Sequence, residues 1–396
     1  MSGDPVTHMA ARGDGVTESG LYVSGALPGD VIVDDDIVQG PHHITPPCVH
    51  FGACGGCQLQ HADDAALADF TSGRILAALA SADIIPATVH PTHLSPPQSR
   101  RRASLRAHRT ADRFALGFNE EGSRRVVDLT ECHVLTPGLF AAVHSLKPLL
   151  ADLVPAGRIC GVTVTETKAG LDVLISNLGV DRATTKRFAQ WAKDERAARV
   201  AIESERGVEI VVQRAEPMLI MDGVAVAMPP AAFLQATADG EAALVAAVRR
   251  LAADTGRIAD LFAGLGTFAL PLSRDARVEA ADAAGPAIEA LKAAARGAGR
   301  PVTTQHRDLF RRPMVPRELD KFDLVVLDPP RAGAKAQVEQ IAASKVSRVA
   351  YVSCNPGTFA RDAKMLTAAG FTLGELWPVG QFRWSTHVEL AAGFSR

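Results

Sequence analysis

At 396 residues the chain is long enough for two or three domains, each burying its own core. A hydrophobic share of 47% against 22% charged residues excludes a disordered chain, and a formal net charge of −2 excludes a generally basic nucleic-acid coat, so a polyanionic partner has to be gripped by a local patch. No stretch approaches the roughly 18 uninterrupted apolar residues of a membrane span, and Met1 to Asp14 lack the apolar run of a secretion signal, which predicts a soluble cytoplasmic monomer with no membrane partner.

Residues 1–40 are short β-like runs broken by glycine, such as Gly20-Leu21-Tyr22-Val23-Ser24-Gly25 and Leu27-Pro28-Gly29-Asp30-Val31-Ile32-Val33, a texture that predicts a small β-barrel. Residues 41–228 read as an irregular α+β region. It opens with Cys48, Cys54 and Cys57 in a Gly-rich loop, and a fourth thiol, Cys132, follows much later. Six cysteines in a reducing compartment point to metal or catalysis rather than disulfides, and four thiolates suit either zinc or an iron–sulfur cluster. One Cys-x-x-Cys knuckle rather than two favours the cluster, while His42, His43, His50 and His61 keep zinc open. Cys160 is read as a strand core residue.

Helix-compatible apolar spacing at Leu67, Phe70, Ile75, Leu76 and Leu79 places a helix within 62–85. The chain's basic cluster follows, with Arg100, Arg101, Arg102 and Arg106. Its alternation from Arg102 predicts a strand with one cationic face, suited either to RNA phosphates or to a solvated sheet surface.

Residues 229–396 alternate strand and helix patterns, predicting parallel βαβ units of a Rossmann-like α/β fold. A strand at Arg257–Leu261 runs into Phe262-Ala263-Gly264-Leu265-Gly266-Thr267, where glycine lets backbone approach a ligand, and Asp282 closes the next strand, where it can accept ribose hydroxyls. Alone, these features equally suit a nicotinamide or flavin enzyme. Asp328-Pro329-Pro330-Arg331 at the end of the fourth strand separates the readings, because a carboxylate on a stiff turn over a planar heterocycle serves no hydride transfer. Asp308 is placed to bind an adenine amino group or simply to cap a helix. Tyr351-Val352-Ser353-Cys354-Asn355-Pro356 delivers a thiol to a strand end, which suggests a nucleophile sharing the crevice with Asp328.

The ordered set of Cys-x5-Cys-x2-Cys, a distant Cys, Phe-x-Gln, Asp-x-Phe-x-Gly-x-Gly, Asp-Pro-Pro-Arg-Ala-Gly, Ser-Cys-Asn-Pro and His-Val-Glu resembles the S-adenosylmethionine-dependent RNA uracil-C5 methyltransferases. Within them it is similar to the iron–sulfur-containing bacterial 23S ribosomal RNA branch with an amino-terminal TRAM barrel. The resemblance implies Cys354 as nucleophile and Glu389 as base, with S-adenosylmethionine held by Gln235, Phe262, Gly264, Thr267, Asp282, Asp308 and Asp328. It also implies a 4Fe-4S cluster on Cys48, Cys54, Cys57 and Cys132, and 23S ribosomal RNA in preference to transfer RNA. A transfer-RNA uracil methyltransferase, an exocyclic-amine methyltransferase using Asp328, and a non-catalytic RNA-binding or redox-sensing module are the competing readings. An uracil C5 atom is too weak a nucleophile for a sulfonium methyl group until a thiolate adds at C6, so the chemistry itself calls for Cys354. The target base must leave its stack to reach such a pocket.

Overall fold

In the computed structural model, residues 3–396 are described. Three sheets and one hairpin account for the strands. The first sheet is antiparallel, ordered Tyr22–Val23, Gly15–Thr17, Asp4–Met9, Val31–Val33, Asp36–Val38, and it curves as an open half-barrel around Val6, Ala26 and Ile32. So small a core depends on polar stitching. Asp30, fully buried, accepts the N–H groups of Leu27 and Gly40 at 2.7 Å each, and its Oδ2 is 2.7 Å from His43 Nε2.

The second sheet runs Gly207–Gln213, Arg199–Ser204, Gly170–Ser176, Ile159–Thr167, Arg102–Arg109, Phe114–Gly117, and the helices Pro137–Leu153 and Arg182–Asp194 pack against it. Cys160 is buried there as expected. Ala103, Leu105 and Ala107 alternate inward with Ser104 and Arg106 outward, so the period-2 reading of this strand holds.

The expectation of a cationic RNA face at Arg100, Arg101 and Arg102 is corrected. Arg100 lies between the rings of Phe118 and Phe382, 5.8 and 5.5 Å from their centroids, and its Nε donates to the Arg102 carbonyl. Arg101 pairs with Glu241 at 2.7 Å and also donates to the Gln235 carbonyl, while Arg102 donates to the Ala232 carbonyl. Arg101 and Arg102 turn inward because the loop after Met228 offers them carbonyls and the helix Ala238–Leu251 offers Arg101 a carboxylate, while Arg100 is held between the two rings. Arg106 alone of the four is exposed.

The third sheet has nine strands. Val302–His306, Arg277–Asp282, Arg257–Leu261, Leu324–Leu327 and Arg348–Ser353 are parallel neighbours, and Glu389–Ser395 and Thr372–Gly380 continue the sheet antiparallel. The central strands Leu324–Leu327 and Arg348–Ser353 are largely apolar and buried because helices cover both faces, whereas the edge strand Val302–His306 is polar and only partly covered. Two short strands from far upstream, Thr88–Val89 and His93–Leu94, add themselves to the outer edge of Thr372–Gly380. The preceding helix Asp64–Ala80, capped by Asp63 accepting the Ala66 N–H at 2.8 Å, packs on the same strand. Among the described residues no helix is long and apolar enough to cross a membrane.

Candidate active site

The carboxyl ends of the parallel strands open into a cavity of about 530 Å³. Its wall begins at Phe262, whose φ of +65° is unusual for a residue with a side chain and marks a sharp turn straight out of the strand Arg257–Leu261. Gly266 follows with φ +94°, and a Cβ there would stand 2.4 Å from Leu291 Cδ1, so glycine is required both by conformation and by the helix packed behind it. Asp282, ending the adjacent strand, accepts the Gly264 N–H at 2.9 Å and the Ala284 N–H at 2.7 Å. Those bonds fix the carboxylate at the cavity rim and leave lone pairs for hydroxyl donors. Phe262 and Phe310, 5.5 Å apart by centroid, give the cavity an aromatic flank.

Opposite that flank, Asp328, Cys354 and Glu389 reach the same cavity from three strand ends, with Gln235 and Arg331 beside them. The turn carrying the thiol is stapled to the Asp-Pro-Pro-Arg turn. Asn355 caps the helix Pro356–Ala368 by accepting the Gly357 N–H, and its amide donates to the Arg331 carbonyl at 2.9 Å, which Thr358 also meets at 3.1 Å. Beneath them the buried Asp362 accepts the Tyr351 hydroxyl at 2.6 Å and the Ala334 N–H at 2.7 Å. Breaking these bonds would free both turns at once.

Burial, then the charge of Asp282, pushes the Asp328 carboxyl up to about 7. Burial and the Asp328 charge push Glu389 up to about 8, opposed by a contact from Gln381. Burial, Glu389 and Asp328 raise the Cys354 thiol to about 11, with Arg331 pulling the other way. Asp260, wholly buried behind the glycine turn with no geometrically sound partner for either oxygen, is raised as well, by burial and then by Asp328. Neighbouring carboxyls on one cavity, with values near neutrality, suit proton transfer.

Of the cofactor residues expected from sequence, Gln235, Phe262, Gly264, Asp282 and Asp328 line the cavity, whereas Thr267 and Asp308 do not. Asp308 instead accepts the Phe310 and Arg311 N–H groups, closing a turn rather than capping a helix, and its neighbours Leu309 and Phe310 line the cavity. Phe310 and Gln381 went unread in the sequence, since an aromatic after a polar loop and a glutamine at a strand end carry no pattern of their own.

A second, small cavity is lined by Cys48, Cys54, Cys57 and Cys132 together. Burial raises all four thiols, Cys57 to about 12. The histidines are mostly engaged elsewhere: His42 with Asp63, His43 with Asp30, and His50, though at the cavity wall, with Thr130. Among the described residues no three Cys, His, Asp or Glu side chains gather closely enough to hold a metal ion, so the expected iron–sulfur domain is not shown. The cysteine loop also touches the catalytic end of the chain, since the Gln58 and Leu59 N–H groups both donate to the Trp384 carbonyl, at 2.7 and 2.9 Å.

A family model described as tRNA (Uracil-5-)-methyltransferase matches residues 301–395, the segment holding Asp328, Cys354 and Glu389. A 23S rRNA (uracil(1939)-C(5))-methyltransferase of Pectobacterium carotovorum is 31% identical over 99% of this chain and 92% of its own length. The chain belongs to the RNA uracil-C5 methyltransferases. Within this S-adenosylmethionine-dependent family, an uncharacterized RNA methyltransferase of Zymomonas mobilis is 42% identical over 99% of both chains. The fold of the methyltransferase also matches the crystal structure of Pyrococcus abyssi tRNA (uracil-54, C5)-methyltransferase in complex with S-adenosyl-L-homocysteine, with a TM-score of 0.77, 23% identity and 99% coverage of both chains.

Proposed function

We propose that the protein methylates C5 of a uridine in 23S ribosomal RNA, with Cys354 as covalent nucleophile and Glu389 as general base. The observation that carries the assignment of roles is the meeting of Cys354, Asp328 and Glu389 on one cavity floored by the glycine turn. The Cys354 thiol gives up its proton to solvent, the thiolate sulfur bonds to C6 of the flipped uracil, and the C5–C6 π electrons shift toward C4 as an enolate. Asp328 and Gln235, beside the nucleophile, orient the reactants. S-adenosylmethionine, when bound, would supply the electrophilic methyl group to C5 and leave as S-adenosylhomocysteine, its sulfur keeping the electron pair of the broken S–CH3 bond. Glu389 then removes the C5 proton; the C–H electron pair restores C5=C6, the C6–S bond breaks, and the thiolate returns. With a thiol near 11 in the free protein, the nucleophile rests protonated until substrate arrives, and Arg331 is placed to favour the thiolate.

Cys48, Cys54, Cys57 and Cys132 would hold a 4Fe-4S cluster, a structural element here with no step in the reaction. Their common cavity supports this, as does the Arg100 charge, which favours ionised Cys132. The half-barrel at residues 4–38 is proposed as a TRAM-like RNA-binding module.

The preference for ribosomal RNA is supported by the Pectobacterium relative, which aligns through the half-barrel and the cysteine loop. Unmodified 23S fragments and transfer RNA transcripts, methylated side by side and digested for nucleoside mass spectrometry, test the target. 5-Methyluridine in the transfer RNA with none in the ribosomal fragments overturns it. Glu389→Gln tests the base: it should transfer methyl yet accumulate a protein–RNA adduct that survives a denaturing gel, and normal turnover would remove Glu389 from the role.

A further inference from the structure

Between the cofactor wall and the base lie two glutamines, Gln235 and Gln381, each 2% exposed, and Glu389 beside them is 5% exposed. Glutamine amides can face either way, so direction has to be earned from an unambiguous donor. The Ala236 backbone N–H is one, and it donates to Gln381 Oε1 at 3.1 Å. That fixes the Gln381 NH2 on the other side, where it donates to Gln235 Oε1 at 2.7 Å. The Gln235 NH2 is thereby turned toward Asp328, 3.5 Å from its Oδ2, and toward the cavity. One hydrogen of the Gln381 amide stays free. Val379 pairs directly with Glu389, that strand ends at Gly380, and the Gln381 amide follows one residue later beside the carboxyl. The Gln381 amide accordingly acts on Glu389, favouring its ionised form.

We propose that Gln381 is a positioning residue for the base, the centre of a two-glutamine relay whose orientation is set by the Ala236 N–H and which holds Glu389 on one side and the cofactor-facing amide of Gln235 on the other. The inference rests on Glu389 being the base. It adds that the carboxyl is aimed by a residue touching neither RNA nor cofactor. It further implies that the two ends are coupled: reorienting Gln235 at the cofactor wall breaks the hydrogen bond that Gln381 needs to stay aimed.

Two substitutions separate this role from mere packing. Gln381→Met keeps the volume and loses every polar atom; Gln381→Glu keeps an acceptor for the Ala236 N–H and so the local fold, but loses the amide donor. With RNA tritiated at uracil C5, single-turnover methyl incorporation reads the first half-reaction and tritium release reads the second. Both variants should slow tritium release about tenfold or more beyond any loss of methyl incorporation that follows from freeing Gln235, the effect of losing one hydrogen bond to a charged group. The adduct should accumulate, and the pH at which release reaches half its plateau should rise, since the lost amide favoured the carboxylate. Far-ultraviolet circular dichroism and S-adenosylhomocysteine binding confirm that each variant is folded. Wild-type tritium release and an unmoved pH profile in folded Gln381→Glu overturn the relay. If Glu389→Gln traps the adduct while both Gln381 variants release normally, only the relay fails; if Glu389→Gln releases normally, the base assignment itself has failed.

Discussion

The catalytic cavity and the cysteine cavity both bury several ionisable side chains together, and they are built on opposite plans. In the catalytic cavity each such group has a directional neighbour: Glu389 has Gln381, Asp328 has Gln235, Cys354 has Arg331 within range. In the cysteine cavity four thiols face one another, helped mainly by backbone N–H groups and by Arg100 from the side of Cys132. The first arrangement lets protons come and go at modest cost. The second holds protons on until something else takes the sulfurs, so it suits a permanent occupant and not a reaction.

Substitutions that treat the two alike break that contrast most sharply. Cys354→Ala should lower methylation by a factor on the order of 10⁴ or more, with S-adenosylmethionine affinity within about twofold by calorimetry. Cys57→Ser should do the reverse in kind: in anaerobically purified protein, iron and sulfide should fall from about four per chain to well below half, and the protein should lose thermal stability. Colourless wild-type protein with one zinc per chain would refute the cluster.

A smaller effect distinguishes the carboxyls of the first cavity from ordinary ones. Asp328 and Glu389 sit at about 7 and about 8 when folded, above their usual 3.8 and 4.5, so the native state binds extra protons between those limits. Stability contributed by the protonated forms is present below pH ~4 and is lost as pH rises toward 8. Asp328→Asn should therefore flatten the decline in melting temperature between pH 5 and 8.5, by about 2–4 °C for each kcal/mol removed. A parallel decline in the variant would mean that Asp328 is not the strained group. The smallest change expected is at Arg106, exposed on the second sheet. Arg106→Ala should reduce the log–log salt slope of RNA binding by roughly 0.7–0.9 with no change in stability. Arg102→Ala, by contrast, should disturb the Ala232 loop and raise the KM for S-adenosylmethionine.

Much of this site was legible because chemistry at strand ends leaves compact signatures. Asp328-Pro329-Pro330 and Ser353-Cys354-Asn355-Pro356 each join an apolar run to a rigid turn, and parallel pairing brings such ends to one side. The arginines were misread for the opposite reason. Alternation from Arg102 gives the strand correctly, but what covers its first residues is the loop at 229–237, more than a hundred residues away, and no local pattern announces it. Asp308 was ambiguous between ligand and cap because both uses need the same short carboxylate at a turn. Gln381 was invisible, since its significance depends on which way an amide faces.

The two short strands at Thr88–Val89 and His93–Leu94 have a consequence for how the chain can be divided. They cover the otherwise open edge of Thr372–Gly380, the strand that supports Glu389 from its other side. A fragment of residues 229–396 would carry every candidate catalytic residue yet present that strand bare to its neighbours, an invitation to pair edge to edge and precipitate. The segment 64–94 thus seals the edge of the catalytic sheet, and any shortened form of the chain that is to stay in solution has to keep that segment together with residues 229–396.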